Sequence, residues 1–309
     1  MGDGRFRVGL GSWYDANELH VHIVPAGQEE REGMITGYVL ALREGLEAAL
    51  ILGVALGAVR RVRQPRLTRS VWLGVITAAA LSLVLGWALH RAGAGLEGPA
   101  EAVFEGAMML LAAGILTWMI FWMQTQGRRL QTELAAGIQQ AAVAGQGWAL
   151  FSLAFLAVLR EGIEAAIFLT AAALTAGAPA TFLGGLLGLL SAALLGWALY
   201  AATLRLDIRR FFTLTGLLLL FFAAGLVTHG LHEFIELGWL PGLIEHVWST
   251  SRILPEASSF GQVLKALVGY NDSPSLTEAL SYFAYIALIT LALLRRGSTL
   301  RGPKPGALA

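Results

Sequence analysis

The decisive stretch of the sequence is LREGLEAAL, residues 42–50, in which Arg43, Glu44 and Glu47 interrupt an apolar run. A second stretch, LREGIEAAI at residues 159–167, repeats the pattern almost residue by residue. The apolar segments that contain these stretches, residues 35–59 and 149–176, are long enough to cross about 30 Å of hydrocarbon. Because a charge at the centre of a bilayer costs about 2.5–3.5 kcal/mol on insertion scales, a charged motif that occurs twice indicates a function.

The composition indicates a polytopic membrane protein. Hydrophobic residues make up 56% of the 309 residues, charged residues only 14%, and the mean hydropathy is +0.64. The chain has no cysteine, which excludes disulfides and thiolate metal sites. The net charge of +1 gives no indication of a nucleic-acid partner, and the sequence has no P-loop for direct coupling to ATP.

Apolar segments long enough to span a bilayer predict seven transmembrane helices. They lie at 35–59, 70–90, 102–123, 149–176, 181–204, 211–235 and 279–294. Basic residues concentrate in the connections after the first, third, fifth and seventh spans: Arg60, Arg61, Arg63, Arg66, Arg69, Arg128, Arg129, Arg205, Arg209, Arg210, Arg295, Arg296, Arg301 and Lys304. The positive-inside rule therefore predicts that the N-terminus lies outside and the C-terminus inside.

The first three spans are repeated as the next three. Beside the two charged stretches, LGWALH (85–90) matches LGWALY (195–200), and LLAAGILT (110–117) matches FFAAGLVT (221–228). Because each unit has an odd number of helices, the copies must cross the membrane in opposite directions, as in transporters that bind substrate near the midplane. The predicted fold is an all-α integral membrane protein with two three-helix inverted repeats and a seventh helix.

This pattern divides the chain into segments. They are a polar N-terminal extension at 1–33, the first repeat at 34–123, a cytoplasmic connection at 124–147, the second repeat at 148–235, an outer connection at 236–278, the seventh helix at 279–296 and a cytoplasmic tail at 297–309. Met34 directly precedes the first span, and ELHVHIVP (18–25) is the strand-like run of the extension. The extension has no counterpart in the repeat.

The charged motifs predict a metal site. In each copy the two glutamates are three residues apart, which places both carboxylates on one helix face. At about 15 Å into their helices, the four carboxylates would meet near the midplane: Glu44, Glu47, Glu161 and Glu164. They form a hard oxygen ligand set suited to a small, highly charged cation. Arg43 and Arg160 would hold the carboxylates and reduce their summed charge to −2. Alternatively, the charges form ion pairs that only join helices.

The residues resemble a known family. The duplicated R-E-G-x-E motif, the run FEGAMMLLAAGILTWMIFWM (104–123) and HGLHEFIELGWLP (229–241) are similar to the oxidase-dependent iron transporters, which comprise fungal ferric iron permeases and bacterial iron uptake permeases. The resemblance implies a multi-pass permease of the plasma or inner membrane. It implies iron as the transported substrate, no resident cofactor, and a ferroxidase or iron-binding protein outside the cell as partner.

The resemblance carries roles onto named positions. It assigns metal ligation to Glu44, Glu47, Glu161 and Glu164, and support of these ligands to Arg43 and Arg160.

Acidic and histidine residues at the outer ends of two spans predict a capture surface for cations. Glu101 and Glu105 stand at the outer end of the third span, and His232 and Glu236 at the outer end of the sixth. They would draw cations to the outer mouth, whereas the basic inner connections would repel them. Solvated helix ends are the alternative. The methionines at 108, 109, 119 and 123 have helical spacing, which favours packing over a copper path.

The hard ligands favour ferric iron as the substrate. A permease of the same family for lead, manganese or ferrous iron stays open. A membrane di-iron oxidase is a third hypothesis, but such sites add a Glu-x-x-His pair, and neither motif has a histidine at that offset.

Overall fold

The computed structural model describes residues 5–8, 12–15, 26–125, 127–201, 208–241, 247–255 and 258–299. The elements in chain order are β1 (Arg5–Val8), β2 (Ser12–Asp15), α1 (Ala26–Val62), α2 (Pro65–Ala94), α3 (Pro99–Thr125), α4 (Gly127–Val143), α5 (Gly147–Ala176), α6 (Ala178–Tyr200), α7 (Ile208–Glu236), α8 (Ser259–Val268) and α9 (Leu276–Thr299). Outside the N-terminal hairpin, the described elements are all helical.

In the part of the chain that the structure describes, five helices contain segments that are long and apolar enough to cross a membrane. These segments are Pro65–Ala94, Pro99–Trp122, Ala178–Leu199, Thr213–Glu236 and Leu276–Arg295. The helices α1 and α5 coincide with the other two predicted spans, but each carries the three charges of a motif within its apolar stretch. The protein is therefore a helical membrane protein, whereas seven crossings and their orientation stay predictions.

The N-terminal segment differs from the sequence-based expectation. Strands β1 and β2 pair antiparallel, with Phe6 opposite Tyr14 and Arg7 opposite Trp13, and aromatic side chains favour such pairing. The predicted strand-like run at 18–25 lies outside the described residues.

Helix α1 begins eight residues before the predicted boundary at Met34, at Ala26. The sequence there, GQEERE, consists largely of strong helix formers. Glu32 is 5% exposed, and a Cβ at Gly33 would lie 2.6 Å from the carbonyl oxygen of Ala176. The boundary at residue 34 thus falls inside a helix, and Gly33, the last residue of the predicted extension, packs against the end of α5.

The six helices of the predicted repeats pack in a pattern with matching halves. Helix α1 lies along α6, α2 lies along α5, α1 contacts α5 at the centre, and α3 contacts α7. Exchanging the two triplets, so that α1 corresponds to α5, α2 to α6 and α3 to α7, leaves this pattern unchanged. Helix α9 packs against α7.

Single contacts match in the same way. Small residues bring the helices together at equivalent positions of the two triplets: Gly74 with Phe151 and Gly184 with Met34, Gly86 with Ala166 and Gly196 with Ala49, and Gly162 with Ser82 and Gly45 with Ala192. At Gly74, for example, a Cβ would lie 2.6 Å from the carbonyl oxygen of Phe151. Such contacts are typical of helices that associate in lipid by close packing.

Two short helices fill the ends of the bundle. Helix α4 lies in the predicted connection at 124–147 and buries Ile138 with parts of α1, α2 and α5 in an apolar cluster. Helix α8, which was not predicted from the sequence, lies in the predicted outer connection and contacts α1 and α7. Ser258 caps its first turn by accepting a bond from the Gly261 amide at 3.0 Å, and Gly269 ends it with φ 67°.

Candidate metal centre

The two charged motifs meet where α1 contacts α5. Glu44, Glu161 and Glu164 each offer a carboxylate oxygen, and these oxygens lie within 4.8 Å of one another. All three residues are at least 95% buried, with exposures of 1%, 5% and 5%. Of the residues that the structure describes, these three are the one set of acids and histidines that could hold a metal ion in this way.

One oxygen of each of these carboxylates lacks a hydrogen bond. Glu44 Oε2, Glu161 Oε2 and Glu164 Oε2 are buried and accept no hydrogen bond. A buried carboxylate oxygen without a donor is costly, and the cost falls when a cation binds. Three converging carboxylates, each with such an oxygen, are a ligand set for a hard cation.

Arg43 organises the α1 half of the centre. Its side chain is 1% exposed, and its guanidinium lies 2.5 Å from Glu44 Oε1 and 2.9 Å from Glu47 Oε1. A third contact joins Arg43 Nη1 to the sulfur of Met119 on α3 at 3.1 Å. Because one guanidinium contacts both carboxylates, Glu44 and Glu47 are fixed relative to each other. Glu47 does not belong to the three-oxygen set, so a four-glutamate site stays a prediction.

Arg160 holds the α5 half differently. Its Nε lies 3.0 Å from Glu164 Oε1, and its side chain is 29% exposed. The guanidinium lies over the ring of Trp122, 4.2 Å from the centroid, with Trp118 at 5.8 Å. The two arginines at equivalent motif positions therefore have unequal surroundings: one is enclosed between carboxylates, and the other is shared between a carboxylate and the tryptophans of α3.

The predicted outer residues come together where α3 begins and α7 ends. Glu105 is close enough to Glu101 and Glu233 for their charges to act on it. His232 has a carboxylate at each ring nitrogen: Nε2 lies 3.1 Å from Glu236 Oε1 and Nδ1 lies 3.3 Å from Glu278 Oε1. A metal ion at His232 would have to displace one of these partners, so the capture role of this surface stays a prediction.

Several contacts of the centre were not foreseen from the sequence. Met119 is buried, as are Met108 and Met109, which agrees with packing, but its sulfur also contacts Arg43. Trp118 and Trp122 are four residues apart and stack with ring centroids 6.0 Å apart. That spacing on one helix face was the available signal for an aromatic surface, although nothing in the sequence connected it to Arg160.

Comparisons with known proteins agree with these features. The sequence profile of the iron permease FTR1 family matches residues 34–296. The ferrous iron permease EfeU of Shigella sonnei (strain Ss046) is 36% identical over 271 residues, covering 86% of this chain and 98% of that protein. EfeU of Yersinia pestis is 34% identical over 272 residues, covering 86% and 95%.

No solved structure matches the chain. The profile confirms the family resemblance that the motifs indicated. The two relatives also confirm it, because this chain matches them over nearly their whole length. The chain belongs to the iron permease FTR1 family and is a membrane transporter, not an enzyme.

Proposed function

We propose that the protein takes up iron across the cytoplasmic membrane through the carboxylate centre between α1 and α5. The observation that carries the proposal is the convergence of Glu44, Glu161 and Glu164 within 4.8 Å, each with a buried oxygen that accepts no hydrogen bond. The ion-pair alternative accounts for Arg43 and its two carboxylates, but within the part of the chain that the structure describes no arginine forms an ion pair with Glu161.

Iron enters from the side on which Glu101, Glu105, His232 and Glu236 lie, and it leaves toward the basic connections. The protein spans the membrane seven times in this proposal, with α1 and α5 as the charged spans. Support comes from the matching contacts of the two triplets, which are those expected of an inverted repeat. The metal then binds where the two halves face each other. From this point, similar motions of the two halves would open the site to one side of the membrane or to the other.

The two arginines keep the carboxylates together when iron is absent. Four carboxylates and two guanidiniums sum to −2, so a trivalent ion more than neutralises the centre and a divalent ion neutralises it. Hard oxygen ligands favour ferric iron, which is our first candidate. Ferrous iron is the second, because the curated relatives are named ferrous iron permeases. A ferroxidase or iron-binding protein outside the membrane presents the metal.

Uptake of radioactive iron by proteoliposomes that contain the purified protein tests the proposal. Glu161→Gln keeps the size of the side chain and removes one charge, and we expect it to lower uptake at least about 100-fold. Glu133→Gln, on an exposed part of α4, is the matched control and should leave uptake unchanged. Supplying iron as Fe²⁺ under ascorbate or as a ferric chelate separates the two candidate substrates.

The ion-pair alternative makes the opposite prediction. If the charges only join helices, Arg43→Gln combined with Glu44→Gln removes a matched pair and should restore both abundance and uptake. Wild-type uptake by that double variant would refute the role of Glu44 as a ligand.

A further inference from the structure

A second polar pocket lies between the ends of α1, α5 and α7, with α8 beside it. Its polar lining consists of Glu32, Thr36, Thr175, His229 and Lys265. None of these residues belongs to the R-E-G-x-E motifs, and Glu32 precedes the family match, which starts at residue 34. The pocket is thus distinct from the carboxylate centre.

A lysine occupies the acidic side of this pocket. Lys265 Nζ lies 3.5 Å from Glu32 Oε2, where the glutamate side chain is 6% exposed and the lysine side chain 26%. A carboxylate that is almost fully buried binds a cation strongly, because little water competes for it. Here that cation is the ammonium group of the protein itself.

The histidine of the pocket is oriented as a ligand. His229 Nδ1 lies 2.9 Å from the carbonyl oxygen of Gly225, and since a carbonyl only accepts, Nδ1 carries the proton and donates. When the imidazole is neutral, the other nitrogen, Nε2, presents its lone pair. A bond from one ring nitrogen to a backbone carbonyl is the usual way in which proteins orient a metal-binding histidine.

The pocket lies on the same helices as the carboxylate centre. Glu32 precedes Glu44 by about 18 Å along α1, and Thr175 follows Glu164 by about 16 Å along α5. Between the two sites stands an apolar cluster that includes Leu40 and Phe168. Phe222 and Leu226 belong to this cluster and also line the pocket, so they form its floor on the side of the centre.

We propose that this pocket is a second cation site, in which Lys265 is a tethered resident cation that incoming iron displaces from Glu32. The inference rests on the proposed function, because it places the pocket before the carboxylate centre on the path of iron. The ligands are the Glu32 carboxylate, His229 Nε2 and the hydroxyls of Thr36 and Thr175. Imidazole and carboxylate together suit iron and other first-row transition cations.

The lysine side chain moves in this step, and α8 stays in place. Gly269 at the end of α8 lies against Gly225 of α7, and the Tyr282 hydroxyl of α9 donates to the carbonyl oxygen of Val268. These contacts fix the backbone of α8 at positions that are within one helical turn of Lys265. A lysine side chain has a flexible four-carbon stem, so its ammonium group can leave the pocket without motion of the backbone.

The pocket is charged less negatively than the carboxylate centre. It combines one carboxylate with a neutral imidazole, whereas the centre gathers Glu44, Glu161 and Glu164. It therefore binds iron more weakly than the centre does, which suits a site that must release its ion inward. After one iron ion has left and before the next one binds, the ammonium group of Lys265 pairs with the buried Glu32 carboxylate.

Equilibrium binding of Co²⁺ to the full chain in detergent micelles tests the proposal without transport. The variant Glu44→Gln, Glu161→Gln, Glu164→Gln removes the carboxylate centre and serves as the background. In it, we expect one remaining Co²⁺ site whose visible absorption bands report an imidazole ligand. His229→Gln should remove that spectral signature and weaken binding about tenfold.

The two partners of the ion pair should act in opposite directions. Lys265→Gln removes the competing cation, so Co²⁺ should bind at least about tenfold more tightly. Glu32→Gln should abolish binding. Arg252→Gln removes an exposed charge from the same connection and is the matched control, which should leave the Co²⁺ affinity unchanged.

A structural ion pair would give another result. In that case Lys265→Gln and Glu32→Gln would both only destabilise the protein, and neither would change the Co²⁺ affinity. This outcome overturns the inference, and so does a Co²⁺ site that is retained in Glu32→Gln. If Glu32→Gln does not fold because Lys265 is left without its partner, the double variant Glu32→Gln, Lys265→Gln replaces it, and retained binding there also overturns the inference. Because these assays use a background without the carboxylate centre, their failure is independent of the uptake test.

Discussion

Glu161→Gln should separate stability from metal binding. In the structure, the carboxylate oxygens of Glu161, Glu44 and Glu164 lie within 4.8 Å of one another. At that distance and an effective dielectric constant of about 20, each pair of full charges repels by about 3.5 kcal/mol. The nearby guanidinium of Arg160 offsets part of this repulsion. We therefore expect Glu161→Gln to leave the metal-free protein at least as stable as the wild type, and more stable by about 1–2 kcal/mol where Glu161 is ionised.

Thermal unfolding in detergent micelles, with and without iron, measures both effects. A ligand at about 100 times its dissociation constant adds about 2.7 kcal/mol to the stability of the protein that binds it. The wild type should show this gain, and Glu161→Gln should lose it. Glu164→Gln is the comparison, because it removes the carboxylate 3.0 Å from Arg160 Nε and should destabilise the metal-free protein by about 1 kcal/mol. Loss of stability in Glu161→Gln together with an intact iron-induced gain would refute this account of the centre.

Three further predictions follow from the packing. Removing residues 1–25, before α1 begins, should leave melting temperature and uptake unchanged, whereas removing residues 1–33 should lower both, because Glu32 is buried; equal behaviour of the two truncations would contradict this. Cysteines that replace the exposed residues Arg61 and Ala94 should react with an impermeant thiol reagent from opposite sides of the membrane, and reaction of both from one side would refute the orientation. Gly74→Ala should destabilise the protein by about 1–3 kcal/mol, since its Cβ would lie 2.6 Å from a backbone oxygen, while Gly114→Ala, with open space around it, should be neutral in the same melt.

The sequence predicted the helices of the two repeats and the meeting of the motifs, because both depend on periodicities that span many residues. Charged side chains on two membrane helices avoid the lipid when the two helices turn their charges toward each other inside the bundle. What it could not predict depends on single side-chain geometries. The two motifs have the same spacing, but their arginines make different contacts. Arg43 lies between the carboxylates of Glu44 and Glu47. Of the two glutamates in its own motif, Arg160 forms an ion pair only with Glu164, at 3.0 Å.

The ends of the bundle were also beyond the sequence patterns. Helix α8 has ten residues, Ser259–Val268, which is too short for a clear apolar period, and its place is set by the packing of Gly269 on Gly225. The early start of α1 at Ala26 escaped notice because polar residues precede the apolar span. The helix formers of GQEERE were a local signal for it, and the burial of Glu32 and the packing of Gly33 add tertiary support that leaves no local pattern.

The unequal environments of Arg43 and Arg160 limit how far the two halves are interchangeable. A chain made by fusing two copies of α1–α3 would keep the pairing of helices but would have two arginines of the Arg43 kind, each enclosed by its own glutamates. Every motif glutamate of that chain would lie within ion-pair distance of an arginine, as Glu44 and Glu47 do here, and none would correspond to Glu161. The second half, whose arginine is shared between Glu164 and Trp122, therefore cannot be replaced by a copy of the first without changing the ion pairs around Glu44, Glu161 and Glu164.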